Sequence, residues 1–400
     1  MRPSCRLLAL LLLLGLAACA EKPPPPVPPP VAKALPKAPP PAAPPPLAKP
    51  APPRAPSGAT LVGLLLPLSG NSAALGNALL NAAQMALFEV GDGELTLLPF
   101  DSKGTAEGAA AAAQQAVGQH CEILVGPLFA AEMRAAAPVA ESAHIPLLGF
   151  SADRSAAGHG AYVLGFLPGP QATAVADYAA SQGKLRQAVL APANDYGRAV
   201  VAELGRSAGP LGVTLGPIEY YDPAALDLAP SFKKLLAGRK TDDPGFDALL
   251  LPDEGARLRR VGEQWAAQGV EAGKVALLGT MLWDDAKLAD QPAFTGAWFA
   301  AAPATGFADF ARRYAKAFGS SPPRLASLAY DAAALAMVLN RRAPHDFSVG
   351  LLTNPQGFAG IDGLFRLTPD GLIERAFSIK QVVPGAAARE IQPAATSFGS

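Results

Sequence analysis

The chain has 400 residues, half of them hydrophobic, with 33 Lys and Arg balanced by 33 Asp and Glu. That balance, with no run of basic residues beyond the first sixty, argues against a nucleic-acid partner, while the length is enough for two domains with buried cores. Of the three cysteines only Cys121 lies outside the N-terminal segment, which leaves no disulfide within the body of the chain.

The chain opens with Arg2 and Arg6 and an apolar run from Leu7 to Leu16. At about ten residues that run is too short to cross a bilayer, which takes roughly 20, and it reads as a secretory signal. It ends in Leu16-Ala17-Ala18-Cys19, which resembles the bacterial lipobox. The resemblance implies a signal peptide over 1–18 and lipidation of Cys19, the alternative being an ordinary cut with Cys19 incidental. Several acyl chains at about 0.8 kcal/mol per buried methylene anchor a protein stably. In Gram-negative lipoproteins an aspartate after the cysteine marks inner-membrane retention. Ala20 stands there instead, which implies the periplasmic face of the outer membrane. Residues 19–57 are almost all Pro, Ala and Lys, with no apolar periodicity, and read as a solvated tether. At about 3.1 Å per residue in polyproline II, its reach is of the order of 100 Å.

From residue 58 onward, short apolar runs alternate with helical patterns. Strands are expected at 61–66, 95–100, 122–125, 146–150, 188–191, 213–220, 248–251, 275–278 and 296–300. Their continuous apolar character suits parallel strands covered on both faces. Helices are expected at 73–90, 105–117, 130–142, 171–181, 198–207, 254–268 and 307–318. In the first, Leu75, Leu79, Ala82, Ala86 and Val90 mark one buried face. The alternation defines an α/β architecture with mainly parallel sheets. Near the end, Leu364 to Leu367, the turn Thr368-Pro369-Asp370-Gly371 and the run 376–383 read as an antiparallel hairpin. Cys121, beside Ile123-Leu124-Val125, reads as a small buried hydrophobe.

Val62 to Gly70, Asn81 to Leu87, Phe100-Asp101-Ser102, Leu124-Val125-Gly126-Pro127, Ile145 to Ser151, Asn194-Asp195-Tyr196-Gly197 and Ala329-Tyr330-Asp331-Ala332 follow one another as in the type I periplasmic-binding superfamily, which the chain resembles over about 320 residues. The resemblance implies two doubly wound lobes about a hinged cleft, expected at 58–167 plus 296–344 and at 168–295 plus 345–393. Within the superfamily, Gly126 to Glu132, Leu250 to Gly255, Leu278-Gly279-Thr280 with Trp283-Asp284, and Gly357 to Gly363 are similar to the penicillin-binding-protein activator lipoproteins. Those carry a helical-repeat domain where this chain has its tether.

In amino-acid binders of the superfamily, hydroxyls and backbone N–H groups at helix starts hold the ligand carboxylate. The resemblance places Ser69, Gly70 and Asn71 at one such corner and Ser151 at another, sets Tyr196 over the ligand, and makes Asp253 or Glu254 the acceptor of an ammonium. Asn194-Asp195 equally suits a helix cap, and Asp253-Glu254 a first turn. After Gly126-Pro127 the polar cluster is replaced by Leu128-Phe129-Ala130-Ala131. Two lost hydrogen bonds to a buried charge forfeit about 2–6 kcal/mol.

No His-Glu-x-x-His, nucleophile elbow, phosphate-binding loop or paired cysteines occur, and His120, His144, His159 and His345 have no metal-ligand spacing. The expectation is a protein that is not an enzyme, with no cofactor and no metal. The first reading is an outer-membrane lipoprotein that binds and activates a class A penicillin-binding protein, a bifunctional peptidoglycan synthase. The alternative is a lipid-anchored solute-binding protein for branched-chain-type amino acids, feeding an ABC transporter.

Overall fold

The computed structural model describes residues 58–399 apart from 92, 241 and 272, and not the side chain of Ala304. The expected signal peptide, Cys19 and the expected tether lie outside the described residues.

The first lobe starts with β1 (Thr60–Leu66), α1 (Ala73–Val90), β2 (Leu95–Asp101), α2 (Ala106–Gly118), β3 (Ile123–Val125), α3 (Ala130–Ser142), β4 (Leu147–Gly149) and β5 (Ala161–Val163). The strands form one parallel sheet in the order β2-β1-β3-β4-β5. Val62, Leu64, Leu65 and Leu66 of β1 are buried, as a central strand with helices on both faces requires. α2 starts where Thr105 accepts the N–H of Gly108 at 3.0 Å, and its alanines let it lie close to the sheet. Cys121 is buried, and burial pushes its thiol up to about 12, the behaviour of a packing residue rather than a nucleophile.

The second lobe follows with α4 (Pro168–Ser181), β6 (Arg186–Pro192), α5 (Asp195–Ser207), β7 (Thr214–Tyr221), α6 (Ala229–Leu235), β8 (Ala248–Leu250), α7 (Gly255–Ala266), β9 (Ala276–Gly279) and β10 (Trp298–Ala301). Its faces separate residue by residue. Ala188, Leu190, Leu249, Leu277 and Phe299 enter one core, and Val189, Ala191, Leu250, Leu278 and Ala300 the other. That alternation is the pleat of strands buried on both sides.

The chain then returns through α8 (Ala304–Phe318) and α9 (Ala326–Arg342) to the first lobe, where α9 packs along α1. A small antiparallel sheet of β11 (Phe358–Gly360), β12 (Gly363–Leu367) and β13 (Ile373–Arg375) follows. Of the last strands, β14 (Ser378–Gln381) adds antiparallel to β10 and β15 (Arg389–Gln392) antiparallel to β14, which gives the second sheet the order β15-β14-β10-β9-β8-β6-β7.

The structure corrects two lobe assignments. The strand expected at 296–300 is β10 of the second sheet, paired with β9 through Trp298 to Leu278 and Phe299 to Gly279, and not part of the first lobe. Conversely, residues 345–375 belong to the first lobe, because Phe347, Leu352, Phe365, Leu367 and Ile373 lie in its core. The tail hairpin is corrected as well: its second strand is β13, and the run at 376–383 leaves it to become β14. Gly371 makes the turn, at φ +85° and with space for a Cβ blocked by the Ala161 carbonyl 2.3 Å away, so glycine is required there.

Candidate functional site

The loops after the parallel strands of both lobes meet across a cleft of about 920 Å³, where sheets of this kind present their binding groups. The two walls differ in chemistry. From the first lobe come mainly Leu75, Leu128, Phe129, Phe150, Phe166 and Leu325, with Ser151 and Arg324 as its polar members, and from the second mainly Gln171, Tyr196, Glu254, Arg257, Asp284 and Asp285, with Met281 and Leu282 beside them.

The first-lobe wall is mainly apolar because its polar groups are engaged by other parts of the lobe. The N–H groups of Leu68 and Ser69 donate to Asp101 Oδ1 at 2.9 and 3.2 Å, and that of Lys103 joins them at 2.9 Å. Burial pushes Asp101 upward, but the bonds from Ser69, Lys103 and Leu68 outweigh it and hold the carboxyl below its ordinary value. Asp101 thus supplies from within the carboxylate that the Ser69 corner was expected to take from a ligand. Ser69, Gly70 and Asn71 are exposed and outside the cleft lining. Ser151 does line the cleft, but it is buried and its Oγ accepts the Asp153 N–H at 3.0 Å. Phe129 presents its ring to the cleft, 40% exposed, while its N–H donates to Glu132 Oε2 at 2.9 Å.

The second-lobe wall is held by a polar network. Tyr196, at the start of α5, donates to Thr280 Oγ1 at 2.8 Å, which leaves its ring as the surface it offers; burial is the main force raising its hydroxyl above the ordinary value. The buried Gln171 accepts the Met281 N–H at 3.0 Å and donates to the Leu167 carbonyl at 2.9 Å, tying the segment after β9 to the lobe crossover. Asp253 is buried at 2% exposure. It accepts from the Tyr221 hydroxyl, from Arg257 Nε at 3.0 Å and Nη2 at 2.7 Å, and from the Glu254 N–H at 2.8 Å. An ammonium acceptor at Asp253 is therefore corrected: its oxygens already serve Arg257, and of these two acids it is the exposed Glu254 that faces the cleft. Asp284 pairs with the buried Lys380 at 2.8 Å, and Asp285 caps the turn at Lys287.

Arg324 crosses the first-lobe rim, paired with Asp362 at 2.5 Å and lying 4.9 Å over the Phe166 ring and 4.2 Å over the Phe307 ring. Behind it the half-buried Arg375 lies 5.1 Å from the Phe166 ring and 5.3 Å from the Phe365 ring. The sequence reading missed Gln171, Arg257 and Arg324. Only Arg257 had a local signal, the four-residue spacing from Asp253 at a helix start.

His120, His144, His159 and His345 all have left-handed backbone, with φ between 54° and 61°, and serve as turn residues. Among the described residues no cluster of three or more His, Cys, Asp or Glu side chains suits a metal ion.

The periplasmic binding protein family model matches residues 61–366, and the chain belongs to that family. Its members bind ligands without transforming them, and this chain is likewise a binding protein and not an enzyme. No curated protein matches the chain. Solved structures share the fold at low identity. A Rhodospirillum rubrum protein assigned to branched-chain amino acid ABC transport is 20% identical, with a TM-score of 0.74, over 83% of this chain and 100% of its own. LivJ of Streptococcus pneumoniae, in complex with isoleucine, is 19% identical with a TM-score of 0.56, over 84% and 100%. A solute-binding protein of Rhodopseudomonas palustris, in complex with 3,4-dihydroxybenzoic acid, is 19% identical with a TM-score of 0.59, over 85% and 97%.

Proposed function

We propose that the chain is the solute-binding component of an ABC transport system and captures a small organic solute between its lobes. The observation that carries this reading is the two-walled cleft, whose apolar side faces a braced polar side across a volume of the size small-molecule sites have. The relatives solved with isoleucine and with 3,4-dihydroxybenzoic acid lend support by analogy of fold. The order of the two sequence readings is thereby reversed. Loss of the polar cluster beside Phe129 argued against solute capture, but the second lobe carries a polar set of its own. Calorimetric titration of the purified chain with amino acids and aromatic acids tests this. Saturable binding with a raised melting temperature is expected, and no binding across the panel refutes it.

A second reading, docking onto a class A penicillin-binding protein, is favoured by the exposed Phe129 and by the Ser69 corner already filled by Asp101. It predicts that the chain raises the synthase's turnover, and an unchanged rate at saturating chain refutes it. The membrane that holds Cys19 separates the readings: delivery to a permease needs the inner membrane, and the outer-membrane placement expected from Ala20 goes with the synthase. Envelope fractionation of the wild type beside Cys19→Ser decides between them.

A further inference from the structure

We propose that Arg257 selects the head group of the solute: the cleft takes a small organic acid with its carboxylate on the second lobe and its apolar body on the first, and an α-ammonium adds nothing. This rests on the solute-binding reading above.

The argument is one of preorganisation. Arg257 lines the cleft, its side chain 39% exposed, and its guanidinium is oriented by Asp253 through Nε and Nη2. Its Nη1 has no protein acceptor among the described residues. Asp253 in turn is immobilised by the Tyr221 hydroxyl and the Glu254 N–H. A donor held this way loses little freedom when it meets a carboxylate, and a charge-assisted bond from arginine is among the stronger polar contacts.

The other charged groups of the cleft are committed or unsupported. Arg324 is taken by Asp362 and Ser327, Asp284 by Lys380, and Asp285 by its own turn. Glu254 is exposed and no side chain orients it, so an ammonium would find a mobile, hydrated acceptor rather than a prepared one. The apolar body has a prepared surface in Leu75, Leu128, Phe129, Phe150 and Phe166.

The test is calorimetric titration of the purified full chain with matched ligands: 4-methylpentanoate, its primary amide and leucine, then 3-phenylpropanoate, its amide and phenylalanine. For each set the acid is expected to bind at least about 10-fold more tightly than the amide, and no more weakly than the amino acid. Arg257→Gln is expected to lose about 10- to 100-fold for the acid and little for the amide, with Arg257→Lys in between. Because Arg257→Gln also strips a partner from buried Asp253, its fold is checked by circular dichroism; the acid-to-amide ratio of the wild type does not depend on that variant folding. An amino acid that binds more tightly than its des-amino acid, or a folded Arg257→Gln with wild-type affinity for the acid, overturns the proposal. If a neutral or cationic solute binds instead, the solute-binding reading stands and the role of Arg257 falls. If nothing binds, both fall.

Discussion

Gly279 ends β9 directly against the face of Trp283, and Gly279→Ala is the sharpest test of how the second-lobe wall is built. A Cβ there falls 2.0, 2.4 and 2.5 Å from three indole carbons. Carbon atoms settle at about 3.5–4.0 Å, so the ring must withdraw by roughly 1.5 Å. It has nowhere to go. Trp283 is 1% exposed, packs edge-on against Phe294 at 5.0 Å between centroids and lies 6.4 Å from Phe299. Its Nε1 donates to the Leu251 carbonyl at 3.1 Å, and a shift of that size breaks the bond. Overpacking costs about 1–3 kcal/mol and a stranded buried polar group about 1–3 more, so unfolding should be easier by about 2–6 kcal/mol. Since Met281, Leu282 and Asp284 beside Trp283 line the cleft, solute affinity should fall as well. Urea unfolding followed by circular dichroism and tryptophan emission measures the first effect. The control is Gly205→Ala within α5, where a Cβ meets nothing within 4 Å and helix propensity predicts a gain of about 0.5–1 kcal/mol. A loss at Gly279 below about 0.5 kcal/mol would show that the indole has room and that the packing argument is wrong.

Arg154, in the first-lobe turn before β5, pairs with Glu203 of α5 across the lobes at 2.8 Å, with half of its side chain exposed. Arg154→Ala should change unfolding by under about 1 kcal/mol, yet widen the lobe separation seen by small-angle scattering; an unchanged profile would show that the pair restrains nothing. Asp331 is pushed up to about 7, mainly by burial and then by Asp362, with Arg375 and the Ile361 and Asp362 N–H groups opposing. The native state therefore keeps a proton that the unfolded chain releases near 3.8, and this group's contribution to stability falls as pH rises from about 4 to about 7. Asp331→Asn should flatten the pH dependence of the urea midpoint over that window, and parallel curves for the two proteins would contradict it. Cys121 should resist alkylation at pH 8 in the native protein and react once urea is added; peptide mapping that finds it modified without denaturant would refute its burial.

Much of the fold is legible in the residues. The runs that became β1, β6 and β8 are apolar over consecutive positions, and α1 and α3 span the residues expected of them, 73–90 and 130–142. β5, Ala161-Tyr162-Val163, was missed although it is as long as β3 and β4. α9 escaped delimitation because it is buried nearly all round, which erases the polar stripe that marks a helix. Of the site, Phe129, Ser151, Tyr196 and Glu254 do line the cleft, since loops after parallel strands converge there whatever their chemistry. Ser69 and Asp253 did not keep the roles expected of them. Asp101, which fills the Ser69 corner, is 32 residues distant, and Asp253 is held both by Tyr221 at the same separation and by Arg257 only four residues along.

From its sequence alone this protein could be read as an α/β chain of parallel strands and covering helices, with a cysteine-anchored, proline-rich approach at its front. The fold class and the proline-rich approach follow from local periodicity and composition, which each segment carries by itself, and the anchor is what the resemblance of Leu16-Ala17-Ala18-Cys19 to a lipobox implies. Only the folded molecule decided that β10 belongs to the second sheet and β12 to the first core, that Asp101 fills the corner a ligand was expected to occupy, and that Arg257 rather than Asp253 faces the cleft. An apolar or charged side chain records that it needs a partner, and the choice among partners is made by contacts between segments far apart along the chain.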